Sequence, residues 1–232
     1  GKPLGSVKKP QVTWSDQDHT ESERKELVKD FFGKEVDDGT LGAIANGVDG
    51  ATIRLRKYED SLKLSWSEDG VTAERTLHRD TEGRLRNDAD GPLVVHNDLF
   101  IIGTNSMHKG KGVEFFVNQV AALREVGVDR IETYAAGNKY GHMNGYYTWP
   151  RFGYDGTIAD NYFDNLPDDL IQQMGGSRSI LDLYDLPGGK EAWREHGGGI
   201  SDAHFDLSEG SRSLRVLENY LEERKKRGQG NA

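Results

Sequence analysis

"FIIGTNSMHKGKGVEFF", residues 100–116, is the stretch on which the fold turns. Phe100, Ile101 and Ile102 close an apolar run that begins at Leu93. Val113, Phe116, Val117, Val120 and Leu123 then recur at helical spacing. Between the two lie glycines, two lysines and a histidine. The pattern predicts one long or two short buried strands over 93–103, a glycine-rich basic turn, and a helix over 112–126 that Gly127 ends. "DRIETYAAG", 129–137, then resumes as a strand. Strand, turn, helix and strand form a βαβ unit, whose two strands are expected to be near neighbours and roughly parallel.

Upstream, the alternation changes period. "ATIRLRKY", "SLKLSW" and the weaker "VTAERTLHR" each set apolar residues against polar ones at a spacing of two, with links short enough for hairpins. They predict an antiparallel meander, followed by a polar turn region over 80–92. Ahead of it, Thr20 and Glu23 read as a capping box opening a helix that Gly33 stops. "TLGAIA", 40–45, reads as a short helix. Downstream, "MNGYYTWPRFGYDG", 143–156, gathers aromatic side chains, one arginine and a lone proline between glycines. "PDDLIQQM" and "GKEAWREHG" read as short helices and "AHFDL" as a strand. Ser211 then caps a last helix with the stripe Leu214, Leu217, Tyr220 and Leu221, whose basic end "EERKKRGQGNA" is expected to fray.

Composition narrows the functions. Lys and Arg number 30 against 39 Asp and Glu, a net charge of −9, which argues against broad nucleic-acid binding because phosphate contacts need clustered cations. The absence of cysteine excludes disulfides, thiolate catalysis and cysteine-bound metal. No apolar run approaches the roughly 20 residues that span a bilayer. The first residues, "GKPLGSVKKPQ", lack the apolar centre of a signal peptide. The seven histidines show no HxxxH spacing, so no metal site is assigned. "EGSRSLR" lacks the context of a nucleophilic serine.

The turn itself has two readings. A helix start presents free N–H groups and the positive end of its dipole, and Gly110 and Gly112 let a phosphate approach the backbone. Lys109 and Lys111 add charge, and His108 a hydrogen-bond donor. The same residues also read as a glycine-rich turn with solvated lysines. The spacing fits neither the P-loop nor the dinucleotide fingerprint.

The turn resembles the acyl-CoA pyrophosphate loop of the GNAT acetyltransferase superfamily, (Q/R)xxGxG/A, with Lys109 at the Gln/Arg position, Gly112 at the first glycine and Glu114 at the last small residue. In that family the loop joins the fourth strand to the next helix. An Asn and then a Y-x-(K/R)-x-G-F stretch often follow the next strand, and Asn144 and "WPRFGY", 149–154, stand there. The resemblance implies an α/β (α+β) fold. Its GNAT-like, mixed and mostly antiparallel sheet would hold a central βαβ cofactor unit flanked by helices, with an irregular C-terminal extension ending in a helix. It divides the chain into a flexible lead-in (1–19), a GNAT-like domain (20–160) and a helical, loop-rich extension packed on the same domain (161–232).

It also implies acetyl-CoA as cofactor, held by His108, Lys109, Gly110, Lys111 and Gly112. The backbone of Ile101 and Ile102 would meet the thioester, with Asn144 and Arg151 on the pantetheine or thiol side. Asp98, His96 and Glu132 are the candidate bases for an acceptor amine. Trp149 occupies the position of the tyrosine that protonates the leaving thiolate. Indole cannot do so, which makes Tyr147 or Tyr146 the substitute. Glu114 departs from the small neutral residue beside the phosphates, and Pro150 fits the first turn of a helix.

The function implied is transfer of an acetyl group to an amine on a small molecule, a protein or a charged tRNA, by a cytoplasmic protein. The alternative is a noncatalytic GNAT-like binding or structural module of a larger bacterial or phage-associated polypeptide or assembly, a virion included, whose partners are other proteins of that assembly. A transferase acting as a toxin or effector is a third reading.

Overall fold

A computed structural model describes residues 4–80 and 91–229. Residues 81–90, the middle of the expected polar turn region, lie outside the described residues, as do the first three and the last three. Among the described residues there are seven strands and nine helices, in a mixed α/β arrangement, and no helix is long and apolar enough to cross a membrane. The chain forms two compact units that meet between Arg130 and Ile131.

The first unit opens with β1 (Thr13–Ser15), which pairs parallel with β2 (Thr52–Lys57). This strand lies inside the stretch read as a lead-in. Between the two run α1 (Glu21–Phe32) and α2 (Asp38–Ile44). The capping box is present: Glu23 N–H donates to Thr20 Oγ1, and Thr20 N–H to the Glu23 carboxylate. Gly33 ends α1 in the left-handed conformation. Asp37 caps α2 by accepting from Thr40 N–H at 2.7 Å. The meander continues as β3 (Ser61–Glu68), β4 (Val71–Arg79) and β5 (Leu93–Ile102), with β2–β3, β3–β4 and β4–β5 each paired antiparallel.

The strand expected over 93–103 is a single strand with a β-bulge. Glu74 pairs with Leu99 and Arg75 with Asn97, so Asp98 is the extra residue. Arg75 fills the defect. It is 2% exposed, and its guanidinium donates to the Leu99 carbonyl at 2.9 Å and to Asn46 Oδ1 at 2.8 Å. It also lies 5.2 Å from the Phe100 ring centre. Asn46, held at φ 56° just beyond α2, passes the link on by donating to the Phe115 carbonyl of α3 (Gly112–Val126). As expected, Val113, Phe116, Val120 and Leu123 of α3 are buried. Buried Gln119 joins them, bonded to Asn97 and to the Ile44 carbonyl. β6 (Val128–Ala135) follows in chain order, and the division between the units falls within it.

In the second unit β6 neighbours β7 (Ile200–Asp206). Between them run α4 (Gly145–Arg151), α5 (Asp160–Phe163), α6 (Asp168–Met174), α7 (Ile180–Tyr184) and α8 (Gly189–His196), and α9 (Arg212–Gln229) ends the chain. The two short helices and the late strand expected here are α6, α8 and β7. Ser211 caps α9 by accepting from Leu214 N–H, and the helix continues to Gln229, through the described part of the basic stretch.

The side chains of the aromatic knot pack on later residues of this unit. Phe152 meets Tyr220 with ring centres 4.9 Å apart, and Tyr154 meets Phe205 at 5.6 Å. Pro150 is not in the first turn of α4 but one residue from its end. It cannot donate to the Tyr146 carbonyl, which instead accepts from the fully buried Trp193 indole at 2.9 Å.

Two substitutions test these joints. Arg75→Met leaves the Leu99 carbonyl and Asn46 without their donor in the core, and is expected to cost about 3 kcal/mol in urea unfolding. An unchanged midpoint would show that the bulge closes without the guanidinium. At Gly153, φ is 113° and a Cβ would overlap the Ser213 carbonyl oxygen. Gly153→Ala is expected to lose at least about 2 kcal/mol of second-unit stability, read by hydrogen exchange on α9.

Candidate functional site

Nested bonds build the turn between β5 and α3. Gly103 N–H donates to the Gly70 carbonyl, Ser106 to Gly103, Lys109 to Ser106 and Lys111 to His108. Those amides are therefore committed to the turn itself. Gly110 supplies the left-handed residue, at φ 81°. The amides of Gly110, Gly112 and Val113 make no hydrogen bond among the described residues, as is normal at a helix start. Gly112 has an ordinary φ, and a Cβ placed there would meet nothing within 4 Å. The packing of this unit therefore does not require glycine at that position.

Around this opening, Lys109 and Lys111 are exposed and form no ion pair among the described residues. His108 is turned into the fold. Its ring meets Phe115 edge-on at 5.6 Å, and Nε2 lies 3.9 Å from an Asp69 carboxylate oxygen. Glu114 is exposed in the first turn of α3, where the helix dipole favours a carboxylate. Ile101 is exposed at the end of β5 and Ile102 half-buried.

The bulge carries a second group. The Asp98 carboxylate accepts from Thr76 Oγ1 at 2.6 Å and from His96 Nδ1 at 2.8 Å. An ionised carboxylate only accepts, so Nδ1 carries the proton and Nε2 is the basic nitrogen. Burial is the largest single influence on the Asp98 carboxyl and favours its neutral form. The bonds from His96 and Thr76 and the pull of His96 and Lys63 together outweigh it, holding the carboxyl below the ordinary aspartate range. Asp98 is thus a weak base at neutral pH and suited to orienting His96.

The remaining candidates, Glu132, Asn144, Tyr147 and Arg151, lie in the second unit. Glu132 is half-buried on β6. Asn144 precedes α4, and its carbonyl accepts from the amides of Tyr147 and Thr148. Of the sequence-named residues in this unit, Tyr147 and Arg151 are brought together, with the guanidinium carbon 5.3 Å from the ring centre.

Three tyrosines gather here with different fates. Tyr146 donates to the Arg194 carbonyl at 2.7 Å, and burial raises its phenol above the ordinary value. Tyr184 donates to the Tyr147 carbonyl at 2.9 Å, and burial drives its phenol far up. The Tyr147 hydroxyl has no hydrogen-bond partner among the described residues. Trp149 is packing: its ring lies 5.8 Å from Phe152 and 5.7 Å from Tyr154.

Tyr147 and Arg151 line a cleft of about 310 Å³ whose other walls are α7, Lys190 and α9. Sequence reading missed its α9 wall. Val216, Tyr220, Glu223 and Arg227 recur at helical spacing, which was the available signal. Among the described residues no group of three His, Cys, Asp or Glu side chains is placed to hold a metal ion. No family model, curated protein or solved structure matches the chain.

The lowered Asp98 carboxyl has a consequence for stability. Its ionised form favours the fold at pH above the unfolded value of about 3.9, and this contribution is lost as pH falls through the lower folded value. Asp98→Asn is therefore expected to lose less stability than the parent on acidification from about pH 4.5 to about pH 2.5. Parallel urea titrations at the two pH values read the difference; parallel losses would mean the carboxylate does not interact as described.

Proposed function

We propose that this chain is an acyl-CoA-dependent N-acyltransferase that moves an acetyl group onto an amine. The observation that carries the reading is the start of α3: three amides without partners, two exposed lysines without ion pairs, and Gly112 with open space where a side chain would stand. Unpaired N–H groups and local cations suit a pyrophosphate, and the missing Cβ lets it reach the backbone. The bound thioester would supply the activated acyl group.

The chain's own residues have separable tasks. Lys109, Lys111 and the amides of Gly110, Gly112 and Val113 grip the phosphates, while exposed Ile101 offers apolar contact beside them. His96 takes the proton of the attacking amine at Nε2, and Asp98 positions its ring through Nδ1. The coenzyme A thiolate leaves and takes its proton from solvent.

Two observations favour the second reading, a noncatalytic binding module. Glu114 already places a carboxylate in the first turn of α3, and Trp149 is committed to packing. Isothermal titration with acetyl-CoA and with CoA separates the two. Binding in the micromolar range, abolished by Gly112→Trp, is expected; the open space at Gly112 lets that variant fold. If the folded parent takes up neither compound, the transferase reading is lost and the module reading stands.

A further inference from the structure

The cleft in the second unit carries a charge pattern that thioester binding does not use. Arg151, on α4, lies over two rings, its guanidinium carbon 5.3 Å from the Tyr147 centre and 5.5 Å from that of Tyr220. These ring contacts engage the guanidinium without using its N–H donors, and Arg151 makes no ion pair among the described residues. Lys190 and Arg227 line the same cleft and are likewise without ion pairs there. Of the two lining carboxylates, Asp185 is taken by Arg212 at 2.6 Å. Three cations thus converge on a concave surface with Glu223 as their only uncommitted acid among the described lining residues, in a chain whose net charge is −9.

We propose that this cleft binds a small hydroxylated phosphate monoester, a sugar phosphate or ribonucleotide. A planar guanidinium with its donors unspent matches the oxygens of phosphate, and Lys190 and Arg227 bring the charge a dianion requires. Glu223 and Asn219 stand on the same wall of α9. A carboxylate there would repel bare phosphate but accept hydroxyl groups, which selects an ester with a polyol arm. Pro150, Leu181 and Val216 give the cleft an apolar part, and about 310 Å³ is enough for a ligand of this size. The cleft lies wholly within the second unit, and binding there does not depend on thioester binding.

Ribose 5-phosphate, ribose and inorganic phosphate, titrated separately into the full chain by calorimetry at low salt, test the assignment. Ribose 5-phosphate is expected to bind and the other two to bind at least about tenfold more weakly. Arg151→Gln is expected to weaken ribose 5-phosphate about tenfold or more. Arg227→Gln, on an exposed stretch of helix where folding is not at stake, should weaken it about threefold. Gly112→Trp should leave it unchanged. Loss in Gly112→Trp with retention in both arginine variants would move the phosphate to the start of α3 and overturn the proposal. Equal affinity for ribose or for inorganic phosphate would overturn the ligand class, and no binding of ribose 5-phosphate would overturn the site.

Discussion

Arg75 is the residue on which the first unit hangs. A guanidinium at 2% exposure is tolerable only where its donors are met and its charge has a favourable surface. Here the Leu99 carbonyl, Asn46 and the Phe100 ring supply that environment. The partners come from two separate parts of the unit. Leu99 and Phe100 follow the bulge on β5, and Asn46 sits beyond α2 and bonds onward to α3. The buried charge thereby sets where the bulge falls and where α2 and α3 stand against the sheet. Asp98 meets His96 and Thr76 because it is the extra residue of that bulge. The His96–Asp98 pair is a by-product of how an arginine is accommodated.

The second unit solves a different problem, a helix that its own sequence would break. Pro150 removes the donor that the Tyr146 carbonyl expects, and the Trp193 indole restores it from α8. Gly153 lets the chain pass close to Ser213 and Phe205. Most of the aromatic knot is consumed in this way, as ring against ring. Tyr147 and Arg151 are what is left over: a hydroxyl without a partner and a guanidinium stacked but not bonded. Groups with capacity to spare after the fold is satisfied are the ones that can act on something else.

The same distinction explains what could be read from the chain. The meander, the capping box and α3 were legible because each rests on local periodicity or on residues three apart. β1 was not, since three residues with only Trp14 turned partly inward carry no alternation. α4 was hidden by its own glycine and proline, whose unfavourable propensities are overridden by packing against α7, α8 and α9. Arg75 left a trace that could have been used. In β4 the positions 71, 73, 75 and 77 all face inward, so an arginine in that register had to be buried. The cleft left almost none: its residues run from 147 to 227 and meet only in the folded unit.

Net charge says little about local recognition for a related reason. An excess of acids over bases disfavours broad phosphate binding, but it says nothing about which cations remain unpaired after folding. Many of the described lysines and arginines are spent internally, as Lys9 is on Asp37 and Arg212 on Asp182 and Asp185. Those left unpaired at the start of α3 and in the α4–α7–α9 cleft stand beside other donors that the fold also leaves unspent. At the first the donors are backbone amides, contiguous in sequence and visible in the motif. At the second they are side chains from separate helices, visible only in three dimensions. An anion responds to the local potential within about a Debye length. A chain of net charge −9 can therefore present two anion-seeking surfaces, and a ligand at either would meet groups already freed by the fold.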